Sequence, residues 1–180
     1  MRRDFLLQKG DFCDIIKHIL DRNEGLIMSE ITLESQLFEI IENDDLESKI
    51  KEAKVDMLIR LGVDVNSKNM YDAERTPLML VAWSGDKNLA ELLIKNGALL
   101  DEKDKRFGDT ALMLASKRGN KELVELLISH GADVEIYNNK MQNVLDCAKD
   151  DEIKKIIQEA ISKKKGVKVK SCFISKDIER

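Results

Sequence analysis

Residues 76–98, TPLMLVAWSGDKNLAELLIKNGA, decide the fold, because the pattern returns 34 residues later as residues 110–132, TALMLASKRGNKELVELLISHGA. Thr76 pairs with Thr110, Gly85 with Gly119, Leu89 with Leu123, the run Leu92, Leu93, Ile94 with Leu126, Leu127, Ile128, and Gly97-Ala98 with Gly131-Ala132. A fixed period of this length means a stack of small identical units.

Each element of the unit has a physical reason. The hydroxyl of Thr76 or Thr110 can accept from the first free N–H groups of a helix, and Pro77 occupies the first helical position, where a missing N–H costs nothing. The leucines and alanines that follow sit at helical spacing. Gly85 or Gly119 can take the left-handed conformation that ends this short helix and reverses the chain. A second helix then carries Leu89, Leu92, Leu93 and Ile94, or Leu123, Leu126, Leu127 and Ile128, on one apolar stripe and stops at Gly97 or Gly131. Two short helices cannot bury both stripes by themselves, so neighbouring units must stack.

The unit resembles the ankyrin repeat, whose pattern is a TPLH-like helix start, a two-alanine helix, a glycine turn, a leucine-rich helix and a G-A-D-V-N tail. Gly131-Ala132-Asp133-Val134-Glu135 and Gly62-Val63-Asp64-Val65-Asn66 are nearly that tail, while Gly97-Ala98-Leu99-Leu100-Asp101 departs from it. The resemblance implies an all-α fold, an ankyrin-repeat solenoid of stacked helix-turn-helix units joined by β-hairpin-like finger loops. It covers residues 4–160 and is strongest over 62–134.

The match weakens outwards, as capping units with a polar outer face require. We expect a degenerate N-terminal capping repeat over 1–30 (Phe5-Leu6-Leu7, Gly10-Asp11, then Ile15, Ile16, Ile19 and Leu20) and an irregular repeat with an insertion over 31–68. In the latter, Leu37, Phe38, Ile40 and Ile41 make one helix, and Val55, Met57, Leu58, Ile59 and Leu61 make another ending at Gly62. Residues 43–54 between them either extend a helix or form a loop. Regular repeats follow over 69–103 and 104–136. A C-terminal cap over 137–162 opens at Asn143, 33 residues after Thr110, with a shortened turn before Ile153, Ile156 and Ile157. A basic tail, 163–180, remains. Lys163, Lys164, Lys165, Lys168 and Lys170 read as solvated or as a phosphate or lipid contact, and although Val167, Val169, Phe173 and Ile174 show partial strand-like alternation we expect the tail to be disordered, with a folded-back strand or a short motif read by a partner as the alternatives.

Composition narrows the function classes. The chain has 180 residues, 43% hydrophobic and 36% charged, with one proline. That length buries roughly 70% of the unfolded surface, so no disulfide or metal staple is needed. Lys+Arg 30 against Asp+Glu 34 leaves a net charge of −4 with signs interspersed, which makes nucleic acid an unfavourable partner. Cys13, Cys147 and Cys172 are odd in number and far apart, which fits a reducing compartment. With neither a signal peptide nor a membrane-length apolar run visible, we expect a soluble, cytoplasmic protein that is a monomer when free.

The chain offers little chemistry. His18 and His130 lie in different repeats with no Ser, Cys or Asp partner in a recognisable motif. Gly97 and Gly131 end helices and do not form a phosphate loop. After Asp64 and Asn66, Lys68 stands where a calcium loop requires oxygen. We expect no catalytic, cofactor-binding or metal residue, no small-molecule substrate, and no enzyme.

The resemblance implies instead a protein partner bound on a concave face made of finger loops and first helices. Its variable positions fall here on Asp72, Ala73 and Arg75 with Trp83 and Ser84, on Arg106, Phe107 and Asp109 with Lys117 and Arg118, and on Asn139, Lys140 and Gln142. Trp83 and Phe107 beside arginines suggest an interface anchor, since Trp, Tyr and Arg dominate binding energetics. The plainer alternative is that Trp83 packs over its finger and Phe107 covers a loop. Met79 and Met113 stand where the family often has histidine, which implies internal packing and a lost finger-bracing hydrogen bond. Two other readings stay open: an inhibitor or immunity-type protein that blocks a partner enzyme, and a membrane- or nucleic-acid-tethered adaptor using the lysine-rich tail.

Overall fold

A computed structural model of the chain describes residues 32–174, with side chains through Lys164. The cap expected over 1–30, with Cys13 and His18, lies outside the described residues.

Among the described residues eight helices follow one another: α1 (Leu33–Glu42), α2 (Ser48–Arg60), α3 (Pro77–Ser84), α4 (Lys87–Lys95), α5 (Ala111–Arg118), α6 (Lys121–Ser129), α7 (Val144–Cys147) and α8 (Asp151–Ile174). They pair in sequence order. The first helices α1, α3, α5 and α7 stack in one layer, and the second helices α2, α4, α6 and α8 stack in the other. The described residues contain no named strand, only an antiparallel bridge between Asn69 and Arg75. The stack expected from the period is therefore present and all-α.

Local signals act as read. Thr76 and Thr110 accept from the backbone N–H of Met79 and Met113, each at 3.4 Å, and Asp86 caps α4 by accepting from Leu89 N–H at 3.1 Å. Gly85 closes α3 at φ 91°. A side chain there would be strained, and a Cβ would also lie 2.9 Å from Asn120 Nδ2. Asn120 makes no side-chain cap on its own helix, α6, and instead donates to Ala82 O at 3.1 Å, tying one unit to the one before it.

The core runs unbroken along the stack through Leu37, Leu78, Leu89, Leu93, Leu112, Leu123, Leu127, Ile153 and Ile157. Because α3 touches α1, α4 and α5, every residue from Pro77 to Ala82 is buried, which explains a helix apolar on all sides. Met79 and Met113 are fully buried packing residues, as their replacement of histidine implied.

The insertion divides into loop and helix. Residues 43–47 turn, with Asn43 Oδ1 accepting from Asp45 N–H at 3.0 Å, and α2 then starts early and reaches 13 residues against nine in α4. The buried Lys51 ammonium donates to Ile41 O at 3.2 Å, satisfying a carbonyl near the end of α1.

At the other end α7 is a single turn, fixed by an Asn143–Asp146 capping box, and α8 is 24 residues long. The disorder expected of the tail, and its strand alternative, are thus corrected as far as Ile174, through which the backbone stays helical. Alternation over so few residues is a weak signal. A helix already seeded by the packed turns of Ile153 and Ile157 propagates through lysines, which are good helix formers, at a cost of about 1 kcal/mol for Gly166. Lys164 is not free, bonding Asp133 at 2.7 Å and Glu135 at 3.0 Å.

Candidate functional site

Three fingers project beside the first-helix layer, and each closes on itself through the backbone: Asn69 N–H donates to Arg75 O at 2.9 Å, Asp104 N–H to Asp109 O at 3.0 Å, and Asn138 N–H to Gln142 O at 2.9 Å. At each base a buried Asn or Asp turns its side-chain oxygen onto the finger's own N–H groups. Asn69 accepts from Tyr71, Asp104 from Phe107 and Gly108, and Asn138 from Lys140 and Gln142, at 2.6 to 3.0 Å. These short side chains brace each finger from its own base. The fingers are also joined, with Lys105 N–H donating to Ala73 O and Asn139 N–H to Phe107 O, both at 2.8 Å. Gly108, at φ 69°, permits the second joint, since a Cβ there would lie 2.5 Å from Asn139 Oδ1.

Two aromatic rings sit on this framework under cations. The Arg118 guanidinium lies 4.4 Å and the Arg75 guanidinium 5.7 Å from the centroid of Trp83, close enough for cation–π attraction. Both arginines are held: Arg118 Nε donates to Trp83 O at 3.2 Å, and Arg75 pairs with Asp72 at 3.0 Å and faces the buried Asp104 at 4.0 Å. Phe107 has Arg106 at 4.9 Å and Lys140 at 5.4 Å from its centroid. Trp83 nevertheless keeps 39% of its surface exposed.

A family model described as ankyrin repeats (3 copies) matches residues 7–138 and, in a second overlapping match, residues 78–169. The chain belongs to the ankyrin-repeat family. Repeats of this family generally mediate protein–protein interaction. A search of curated proteins found no match.

In this ankyrin-repeat protein the residues expected to meet a partner divide by exposure. Trp83, Ser84, Arg106, Arg118, Asn139 and Lys140 are exposed, and Asp72, Ala73, Arg75, Phe107, Lys117 and Gln142 are half-buried. Asp109 is 1% exposed and is a correction: one oxygen takes the Lys117 ammonium and the other accepts from Asn138 Nδ2 at 2.9 Å, so it braces the third finger. It sits beside the helix start at Thr110, where the stack closes over it. Ala73 and Gln142 serve the fingers mainly through their backbone groups, and Ser84 Oγ donates to Val81 O at 3.2 Å.

Sequence reasoning missed three finger residues, Met70, Tyr71 and Met141, which are 72%, 95% and 76% exposed. Their signal was present as apolar residues one to three places after the brace residues Asn69 and Asn138. At the N-terminal end, Glu42 accepts from Asn69 Nδ2 at 3.3 Å. Burial, then the charge of Asp72, pushes the Glu42 carboxyl above the usual range, against the opposing pull of that hydrogen bond. Burial likewise pushes the Cys147 thiol up and keeps it protonated.

The described residues hold no group of three or more His, Cys, Asp or Glu arranged for a metal, and none of their helices is long and apolar enough to cross a membrane. His130 caps its own helix, with Nδ1 3.0 Å from Leu126 O.

Proposed function

We propose that this chain binds a protein partner along the concave face formed by its fingers and first helices, with Trp83 and Phe107 as anchors. The carrying observation is Trp83, a large ring left partly exposed while two guanidiniums lie over it, Arg75 held by Asp72 of its finger and Arg118 by Trp83 O. A ring held this way has little freedom left to lose on binding, and Trp, Tyr and Arg contribute most to interface energy. Met70, Tyr71 and Met141 extend the apolar surface along the fingers. Contact of roughly 800 Å² per partner suits a surface of this kind.

Affinity capture from the native organism tests the proposal, using the intact chain and a Trp83→Ala, Phe107→Ala double variant with a matching helical circular-dichroism signal. We expect the intact protein to capture one partner and the variant to lose it, since truncating such anchors commonly costs on the order of 2 kcal/mol or more. Equal capture by both forms would place the interface elsewhere.

A further inference from the structure

The finger face is electrically polarised along the stack. The position seven residues after the N-cap of α1, α3 and α5 is Glu39, then Trp83, then Lys117, and the position after that is Ile40, Ser84 and Arg118, while the same count from Asn143 of the single-turn α7 reaches Asp150 and Asp151 where α8 begins. The first finger carries Asp72 and Glu74 with Arg75, the second Lys105 and Arg106, and the third Lys140. From α1 to α5 acid therefore gives way to aromatic and aromatic to base.

Internal pairing matches the acids of the first finger, Asp72 with Arg75 and Glu74 with Lys105, and leaves the excess at the basic end. The carboxylates at the C-terminal end are occupied: Asp109 by Lys117 and Asn138, Asp104 by finger N–H groups with Arg75 nearby, Asp146 in its capping box, and Asp150 as the cap on Ile153 N–H. Arg106, Arg118, Lys140 and Lys149 are exposed cations with no carboxylate partner among the described residues, as are Lys54, Lys95 and Lys155 on the second helices, and what distinguishes the four is their grouping at the aromatic rings. They are gathered in two groups. Arg106 and Lys140 share the Phe107 ring, and Lys149 donates to Arg118 O at 3.3 Å beside Trp83.

We propose, resting on the concave-face reading above, that the partner presents an acidic protein segment, its carboxylates meeting these four cations and an apolar side chain seated between Trp83 and Phe107. Charge complementarity of this kind fixes register and speeds association. A nucleic acid fits less well: a uniform polyanion following the face would meet Glu39, Glu42 and Asp72, whereas a peptide can confine its negative charge to the basic end.

A display library of random dodecapeptides, selected against the full chain, tests this. Three variants are compared: Arg106→Glu, Arg118→Glu, Lys140→Glu on the face; Lys54→Glu, Lys95→Glu, Lys155→Glu on second helices, which changes net charge equally; and Trp83→Ala, Phe107→Ala. Each is first checked for an unchanged helical signal, with Lys140→Gln, Lys149→Gln as a milder face variant. We expect peptides rich in Asp and Glu. Their affinity should fall roughly tenfold or more in the face variant, be little changed in the second-helix variant, and weaken steeply with salt. Absence of acidic enrichment, equal binding to the face and second-helix variants, or tighter binding of oligodeoxythymidine than of any peptide would overturn the acidic class. Non-acidic peptides lost in the Trp83→Ala, Phe107→Ala variant would overturn the acidic class alone. Peptides bound equally by all variants would also remove the concave-face reading.

Discussion

Gly85→Ala should destabilise the protein well beyond Gly97→Ala, although both glycines close helices at nearly the same angle, φ 91° and 89°. A left-handed conformation costs a residue with a Cβ roughly 1–2 kcal/mol. Alanine also lowers the entropy of the unfolded chain relative to glycine, which stabilises by ~0.4–1 kcal/mol and partly offsets that cost equally at both positions. Gly97 has open space around its Cβ position, so it should register the conformational cost alone, about 1 kcal/mol. At Gly85 the new methyl would lie 2.9 Å from Asn120 Nδ2, the group that donates to Ala82 O. Displacing that side chain loses a hydrogen bond of about 1 kcal/mol and leaves a carbonyl inside the stack poorly satisfied, for a total of roughly 2–3 kcal/mol. Urea denaturation of Gly85→Ala, Gly97→Ala, Asn120→Ala and the Gly85→Ala, Asn120→Ala pair measures this directly. In the Asn120→Ala background the cost at Gly85 should drop to that at Gly97. Equal costs for the two single glycine variants, or additive costs for the pair, would refute the assigned role of Asn120 as the tie between units.

Three further outcomes follow from individual titratable side chains. Asp109→Ala removes the partner of Lys117 and Asn138 together and should cost about 2 kcal/mol in chemical denaturation, while Asp109→Asn, which still accepts from Asn138, should cost less. Because the Glu42 carboxyl is held above its ordinary range, the folded state binds the proton more tightly than the unfolded chain, and stability falls as pH rises through that raised value. Glu42→Gln should flatten this fall between pH 4 and 7, measured as denaturation midpoint against pH, and an unchanged slope would count against it. In a Cys13→Ser, Cys172→Ser background, Cys147 should resist alkylation at neutral pH until urea unfolds the stack, since it is buried and its thiol is pushed up.

The acidic-to-basic gradient and the aromatic anchors depend on which charges the fold leaves unpaired. Composition alone shows a chain of nearly balanced charge, with Lys+Arg 30 against Asp+Glu 34. Only after Lys117 is matched to Asp109, Arg75 to Asp72 and Lys105 to Glu74 does the residue of unpaired cations around Trp83 and Phe107 emerge.

Sequence by itself determined the repeat, the helix starts at Thr76 and Thr110, the reversals at Gly85 and Gly119, the buried leucine stripes and the internal place of Met79 and Met113. All of these rest on chemistry within one turn of helix or on a period that any unit must share to stack. Tertiary structure decided what lies between units. Asp109 looked solvent-facing because its partner Asn138 is 29 residues away, and the tie from Asn120 to Ala82 O spans 38 residues that only stacking brings together. The division of residues 43–54 turned on whether Lys51 could reach the end of α1, and the helical tail on whether packing at Ile153 and Ile157 had already started α8. Spacing along the chain records a local preference, but whether a polar side chain ends up exposed or braced depends on neighbours that only stacking brings within hydrogen-bond reach.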